Sequence, residues 1–252
     1  MLPRLEGVIA RRVLLNFWAD PAAVRKCIPG VFEVATVNGH AVVGVCLTRL
    51  EQLRPKGMPA FFGLAAESMA HQVAIRYRTR QGWQDGVFIW RRETDCPLLV
   101  QLGGRLFPGV HRLADFHVVD IPTSLTFDVH TESGAADVAV RALPAEARPS
   151  TELFRRVDDA SGFFERGAYS FSGSRDDHSL EAIRLDSLRW DVSPLRIESA
   201  HAAFFADSRR FPRGAIGFDG ALLMRNFAHE WHEAEPAAAG VQDEQAPAGV
   251  AA

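Results

Sequence analysis

The clearest pattern along the chain is the alternation of apolar and polar side chains that a half-buried β-strand produces. In segment 73–78, valine, isoleucine and tyrosine alternate with alanine and arginine. Segment 8–18 is rich in β-branched, leucine and aromatic residues. The period of two in segment 73–78 predicts a strand with one wet face, and the composition of segment 8–18 predicts a second strand.

Turn residues between apolar runs predict how the strands are connected. Asn38 and Gly39 separate two apolar runs, and this pair accepts the positive φ angles of a tight hairpin turn. A second hairpin is predicted between segments 67–80 and 86–93. Further strands are predicted at 114–121, 124–131, 136–142, 180–190 and 221–229.

Few segments favour a helix. Asp20 followed by Pro21 predicts a helix start, with a short helix over 22–28. A second short helix is predicted at 97–102, and a longer one at 150–166, where the apolar side chains share one face. The predicted fold class is therefore α+β, mainly antiparallel, with a barrel-like or sandwich core and a few helices at its edges.

The domain organisation follows from composition. Hydrophobic residues make up 47% of the 252-residue chain, which is enough for one sizeable core. Segment 236–252 contains almost no large apolar residue, so we expect a single domain over 1–235 and a disordered tail.

Charge and cysteine content exclude several classes of partner. The net charge is −3 and no basic block occurs, which argues against nucleic acid. Three cysteines without a Cys-x-x-Cys pair fit a reducing compartment, and no apolar run is long enough to span a membrane. We therefore expect a cytoplasmic protein. Only two of the 28 basic residues are lysine, Lys26 and Lys56, so few primary amines are available for imine chemistry.

The densest polar stretches lie in the middle of the chain. Segment 91–95 places arginines beside carboxylates, and Arg105 and His111 follow within a glycine-rich segment. Guanidinium groups hold carboxylates by paired hydrogen bonds, and a histidine titrates near neutral pH. The alternative interpretation is structural: Arg92, Glu93 and Asp95 would pair with one another.

Five short segments carry a resemblance to a known family: 16–21, 24–29, 66–68, 91–95 and 104–105. In order and spacing they resemble the acetoacetate decarboxylase superfamily and, more closely, its branch called domain of unknown function 2071. The resemblance implies a strongly curved sheet or barrel that encloses a cavity. It also implies a homo-oligomer, because members of the superfamily often assemble.

The chain departs from the decarboxylases at their catalytic lysines. Where the family has two consecutive lysines, this chain has His111 and Arg112. A family carboxylate on the strand at 41–50 is also missing, since its position falls near Gly44. Histidine and arginine cannot form the imine that accepts electrons during decarboxylation. Schiff-base chemistry is therefore predicted to be absent.

The resemblance also suggests which residues form the site. We expect a cavity with Glu67 and His111 as the groups that move protons. The expected substrate-binding residues are Arg105, Arg92, Trp90 and Arg12, with Phe107 as a further apolar wall. Glu67 as a salt-bridged surface residue, Arg105 as a structural arginine and His111 as a turn residue remain the alternatives.

No metal or cofactor is predicted. His229 and His232 are three residues apart, whereas the zinc-protease motif needs histidines four apart on a helix. No glycine-rich nucleotide-binding motif occurs.

Three functional hypotheses follow. In the first, the protein binds or transforms a small keto or hydroxy acid by lyase, isomerase or hydratase chemistry. In the second, the same cavity serves a non-catalytic ligand-binding or sensing domain. The third hypothesis, a purely structural protein, predicts a filled interior.

Overall fold

A computed structural model describes residues 3–105, 109–131, 136–146, 151–175, 179–187 and 190–234. Phe107 and the expected tail at 236–252 lie outside these residues. Among the described residues, no helix combines the length and the apolar character that crossing a bilayer requires.

Strands dominate the fold, as the alternating pattern predicts. Within the described residues, 14 strands join in one sheet. The strands are β1 Leu5–Ala19, β2 Phe32–Val34, β3 Thr36–Val37, β4 His40–Pro55, β5 Leu64–Thr79, β6 Gly82–Thr94, β7 His111–Leu113, β8 Asp115–Ile121, β9 Ser124–His130, β10 Ala136–Pro144, β11 Tyr169–Gly173, β12 Leu180–Ser187, β13 Ser193–Ala202 and β14 Ile216–Glu233.

The helices are short and peripheral. In the described part of the chain they are α1 Pro21–Arg25, α2 Pro97–Leu102, α3 Val157–Arg166 and α4 Ala203–Ala206, with a 3₁₀ turn at Ala60–Phe62. Asp20 caps α1, because its side chain accepts a hydrogen bond from the Ala22 backbone N–H at 2.9 Å.

The helix predicted over 150–166 is shorter than expected and begins at Val157. Asp219 explains the difference, because it accepts hydrogen bonds from the Leu153 backbone N–H and the Thr151 hydroxyl, both at 2.9 Å. These side-chain bonds hold the preceding residues in a non-helical conformation.

The sheet closes on itself. β1 pairs antiparallel with β4 on one side and with β14 on the other. Most other neighbours are antiparallel as well, while β6 runs parallel to both β7 and β11. The predicted fold class, α+β with a curved and mainly antiparallel sheet, is confirmed.

Strand alternation gives the sheet two unlike faces. On β5, Met69, Val73 and Ile75 are fully buried in the largest hydrophobic cluster. The residues that alternate with them, Ser68, Ala70 and Gln72, line a cavity on the opposite face. The functional site therefore depends on which residues of each strand face this cavity.

Candidate functional site

The interior holds a cavity of about 140 Å³. Its walls come from β1, β4, β5 and β6 on one side and from β11, β12 and β14 on the other, and they are mostly apolar. The polar residues that line it are Arg12, Cys46, Thr48, Ser68, Gln72, Arg92, His111 and Ser170.

The floor of the cavity is a pair of cross-strand rows. Cys46, Ala70, Arg92 and His111 are successive partners across β4, β5, β6 and β7. The small side chain of Ala70, in the middle of this row, leaves room between Cys46 and Arg92.

The neighbouring row contains Arg12, Thr48 and Ser68, which are partners across β1, β4 and β5. Here too the central strand contributes a short side chain, Ser68. Short residues on β5 flanked by arginines on β1 and β6 thus create an empty space with cationic walls.

A β-bulge in β6 explains why Arg92 belongs to this floor. On one side of it Gln72 pairs with Ile89, and on the other His71 pairs with Arg91, so Trp90 is the additional residue. The extra residue shifts the alternation by one, as bulges do. Ile89 and Arg92 therefore share the cavity face although they are three residues apart.

Arg92 is buried and holds its charge without a carboxylate contact. Its Nη1 donates to the Ser172 hydroxyl at 2.7 Å, and it lies against Gly109. Burial lowers the pKa of Arg92 to about 10, partly offset by the charge of Glu181. The guanidinium is still protonated at neutral pH.

Gly109 is required by this packing. Its φ is 81°, and a Cβ at this position would collide with the Arg92 guanidinium. Its backbone N–H donates to Glu181 at 2.7 Å, which orients that carboxylate. The glycine-rich segment between α2 and β7 thus positions Arg92.

His111, on β7, is the cross-strand partner of Arg92 on β6. Burial, together with the positive charge of Arg92, lowers the pKa of His111 to about 3. Its Nδ1 is 3.1 Å from the Gly109 carbonyl oxygen. In the neutral ring, Nδ1–H donates to this carbonyl, and Nε2 is left as a hydrogen-bond acceptor.

Arg12 is the second cationic residue of the cavity. Its Nε donates to the Cys46 sulfur at 3.3 Å, and its guanidinium lies 5.6 Å from the centre of the Trp190 ring. Its Nη1 is buried without a hydrogen-bond partner, and no carboxylate among the described residues forms an ion pair with it.

Glu67 lies on the opposite face of β5 from the cavity. It forms an ion pair with Arg11 at 2.6 Å and approaches Arg49 at 3.8 Å. Burial raises the pKa of Glu67, while Arg11 acts against this rise. The expectation that Glu67 shares a cavity with Arg92 and His111 is therefore corrected, because odd-numbered residues of β5 face the core.

Trp90 and Arg105 are also separated from the cavity. Trp90 donates its ring N–H to the Cys27 carbonyl at 2.6 Å and packs on Phe204, because the bulge turns it toward the core. Arg105 is exposed and does not line the cavity. Of the six expected site residues, the structure brings together Arg12, Arg92 and His111.

The alternative of a mutual Arg92, Glu93 and Asp95 network is not what the structure shows. Arg92 bonds Ser172, Asp95 accepts the Glu67 backbone N–H at 2.9 Å, and Glu93 pairs with Arg91 on the core face.

The cavity residues Cys46, Thr48, Ser68, Gln72 and Ser170 were not expected from the sequence. Their positions follow from strand alternation once the facing side of β4 and β5 is known. The pattern alone cannot supply that side, since both faces of β4 are largely buried and the cavity face of β5 is half-buried.

The histidines near the end of β14 are on different faces. His229 is buried, whereas the Nε2 atom of His232 lies 3.2 Å from the Oδ2 atom of Asp186. Among the described residues, no group of three or more His, Cys, Asp or Glu side chains could hold a metal ion.

No curated protein matches the sequence of this chain. The profile of the family DUF2071, described as an uncharacterized conserved protein, matches residues 9–212.

Several solved structures share the fold. An acetoacetate decarboxylase-like enzyme from Sphingomonas wittichii RW1 is 14% identical with a TM-score of 0.59, covering 90% of this chain and 90% of its own. Acetoacetate decarboxylase from Legionella pneumophila is 13% identical with a TM-score of 0.57, and the match covers 91% of this chain and 84% of the decarboxylase. The enduracididine biosynthesis enzyme MppR, complexed with the condensation product of pyruvate and imidazole 4-carboxaldehyde, is 10% identical with a TM-score of 0.59. The match covers 92% of this chain and 87% of MppR.

Proposed function

This chain belongs to the DUF2071 family, and from that premise we propose that its cavity binds a small keto or hydroxy acid without lysine imine chemistry. One observation carries the proposal. Arg12 and Arg92 both line the cavity, and neither forms an ion pair with a carboxylate of the described residues.

The energetic argument starts from the cost of buried charge. A guanidinium removed from water is unfavourable unless an anion or several hydrogen bonds compensate it. In the described part of the chain, the cavity lining has no aspartate, glutamate or lysine. A bound carboxylate would supply the missing negative charge and could accept two hydrogen bonds from one guanidinium.

The cavity also sets the size and polarity of the ligand. A volume of about 140 Å³ is small compared with the ~300–1,000 Å³ of sites for drug-sized ligands. Leu99, Ile183 and Trp231 provide apolar walls, and the hydroxyls of Thr48 and Ser68 provide neutral partners. A short organic acid matches this combination.

Proton transfer, in this proposal, is carried out by His111. Its pKa of about 3 keeps the ring neutral near pH 7 with Nε2 as an acceptor, but makes it a weak base until a ligand changes its surroundings. A bound anion beside it would raise the pKa of the ring. Glu67 takes a structural role through Arg11, since it faces away from the cavity.

The lysines support the absence of imine chemistry. Lys26 is the C-cap residue that follows α1, and Lys56 forms an exposed ion pair with Glu230, with 2.6 Å between Nζ and Oε1. Neither residue lines the cavity. Lyase, isomerase or hydratase chemistry remains compatible with the other groups, and the alternative is a non-catalytic binding or sensing domain.

A thermal-shift screen with small keto and hydroxy acids tests the binding proposal. We expect an acid to raise the unfolding midpoint of the wild type and of Arg105→Ala, and to raise that of Arg92→Met much less. An undiminished shift in Arg92→Met, or the absence of a shift with every acid, would contradict the proposal.

The same acid then separates the enzyme from the binding domain. Conversion of the acid is followed by NMR for the wild type and for His111→Gln. Turnover that is lost in His111→Gln supports proton transfer by His111, whereas binding without turnover favours the sensing domain.

A further inference from the structure

The two cavity arginines stand on different walls of the site. Arg12 belongs to β1 and Arg92 to β6, with β4 and β5 between them. Three strand spacings, with an offset of two residues along the strands, place their backbones about 16 Å apart across a flat sheet. Both side chains line the same cavity. We propose that the ligand is a short dicarboxylic acid, with one carboxylate bound by each arginine.

This inference rests on the proposed function and specifies its ligand class. Each guanidinium donates one hydrogen bond to a neutral group. Arg12 Nε donates to Cys46, and Arg92 Nη1 donates to Ser172. Together with the contact between Arg12 and the Trp190 ring, these hydrogen bonds orient the guanidinium groups but bring no anion to contact distance. The other N–H groups of both side chains have no hydrogen-bond partner among the described residues.

The charges around the cavity favour two anionic groups over one. His111 and His229 are the neighbouring imidazoles, and burial lowers their pKa values to about 3 and about 4, so both are neutral. Glu181 is the carboxylate whose charge acts on Arg92, but it accepts the Gly109 N–H and is not among the lining residues.

A monocarboxylate on one arginine would leave the other guanidinium without an anion at contact distance. A dicarboxylate compensates both, and this difference gives specificity as well as affinity. The hydroxyl groups of Thr48 and Ser68 lie between the arginines on β4 and β5, where the central carbons of a bound chain would carry a keto or hydroxyl group.

Isothermal titration with matched acids tests this inference. Succinate is compared with butyrate, and 2-oxoglutarate with 2-oxopentanoate, so that each pair differs in the second carboxylate. We expect the dicarboxylate of at least one pair to bind at least 10-fold more tightly than its partner. In Arg12→Met and in Arg92→Met we expect this preference to disappear, whereas the exposed Arg105→Ala keeps it.

The outcomes separate this inference from the proposed function. Equal affinity for both members of each pair would overturn the dicarboxylate assignment and leave a monocarboxylate site. If none of the four acids binds, both the proposed function and the dicarboxylate assignment are contradicted. The wild-type comparison needs no substitution, so the test stands even if an arginine variant does not fold.

Discussion

In the proposed function, the burial of Arg92 serves binding at the expense of stability. Arg92 is 8% exposed, and among the described residues Glu181 is the carboxylate whose charge acts on it, without contact at ion-pair distance. The sequence could indicate Arg92 as a site residue because arginines lie beside carboxylates in segment 91–95, and guanidinium groups hold carboxylates by paired hydrogen bonds. It could not show that Ser172, 80 residues later in the chain, would be its partner.

Arg92→Met is therefore expected to stabilise the empty protein. Methionine fills much of the same volume without a buried charge, and replacing buried charges by apolar groups is neutral or favourable by ~1–4 kcal/mol. Urea denaturation without ligand measures the free energy of unfolding. A decrease by more than about 1 kcal/mol would show that the Ser172 hydrogen bond outweighs the cost of burial.

The buried histidines predict how stability depends on pH. Burial lowers the pKa of His111 to about 3 and that of His229 to about 4, while both rings titrate near pH 6.5 in an unfolded chain. Between these values the unfolded state binds more protons. The contribution of these histidines to the free energy of unfolding should therefore be constant above pH 7 and decrease below pH 6.5, by up to ~1.4 kcal/mol per pH unit for each histidine.

Urea denaturation at pH 7.5 and pH 5.5 measures this effect. His71, which is buried beside Glu93 and also has a lowered pKa, contributes in the same direction. His111→Asn should make the loss of stability on acidification smaller, while the exposed His117 provides the control His117→Asn. Equal stability of the wild type at the two pH values would contradict the prediction.

The bulge in β6 and Gly109, which precedes β7, determine which side chains of β6 face the cavity. Alternation predicted both strands of the β5–β6 hairpin, but a regular strand would place Trp90 and Arg92 on one face. The extra residue at Trp90 separates them. Such an irregularity depends on packing against α4 and on the Cys27 carbonyl, which lie far away in the sequence.

Gly109→Ala tests the loop as a positioning element. A Cβ at this position would displace the Arg92 guanidinium, in addition to the cost of a non-glycine residue at positive φ. We expect at least a 10-fold loss of acid affinity. The matched control is Gly214→Ala, which has nearly the same φ of 79° and has no described atom within 4 Å of the added Cβ.

Acid affinity of the folded variants is measured by isothermal titration, and circular dichroism confirms that both variants are folded. Similar losses in the two variants would indicate a general effect of backbone strain. Wild-type affinity in Gly109→Ala would show that Arg92 does not need this loop.

At the scale of the whole molecule, the positions of the lysines exclude them from the cavity in the described structure. We expect no adduct when the wild type is incubated with pyruvate and borohydride, because Lys26 and Lys56 both lie elsewhere. Intact-mass spectrometry gives the measurement. His111→Lys provides the positive control, since burial beside Arg92 should lower the pKa of the new amine and make it nucleophilic. An adduct on the wild-type chain would overturn the prediction.

The overall architecture could be predicted only in part. Strand alternation and turn residues are local, and they predict an antiparallel class correctly. The pairing of β1 with β14 connects segments about 200 residues apart along the chain, and no local pattern indicates it. Without this pairing, the opposing walls of the cavity cannot be assigned, which is why Trp231 was not expected there.

Closure of the ring by its first and last long strands also determines when the site can form in the cell. β1 cannot complete its hydrogen bonds until β14 has left the ribosome, because Leu5 pairs with Trp231 and Ala19 with Ile216. During synthesis at ~5–20 residues per second, the early strands wait for many seconds with one edge unpaired. The β1 edge therefore stays unpaired through this interval, and the proposed binding site can assemble only after translation of β14.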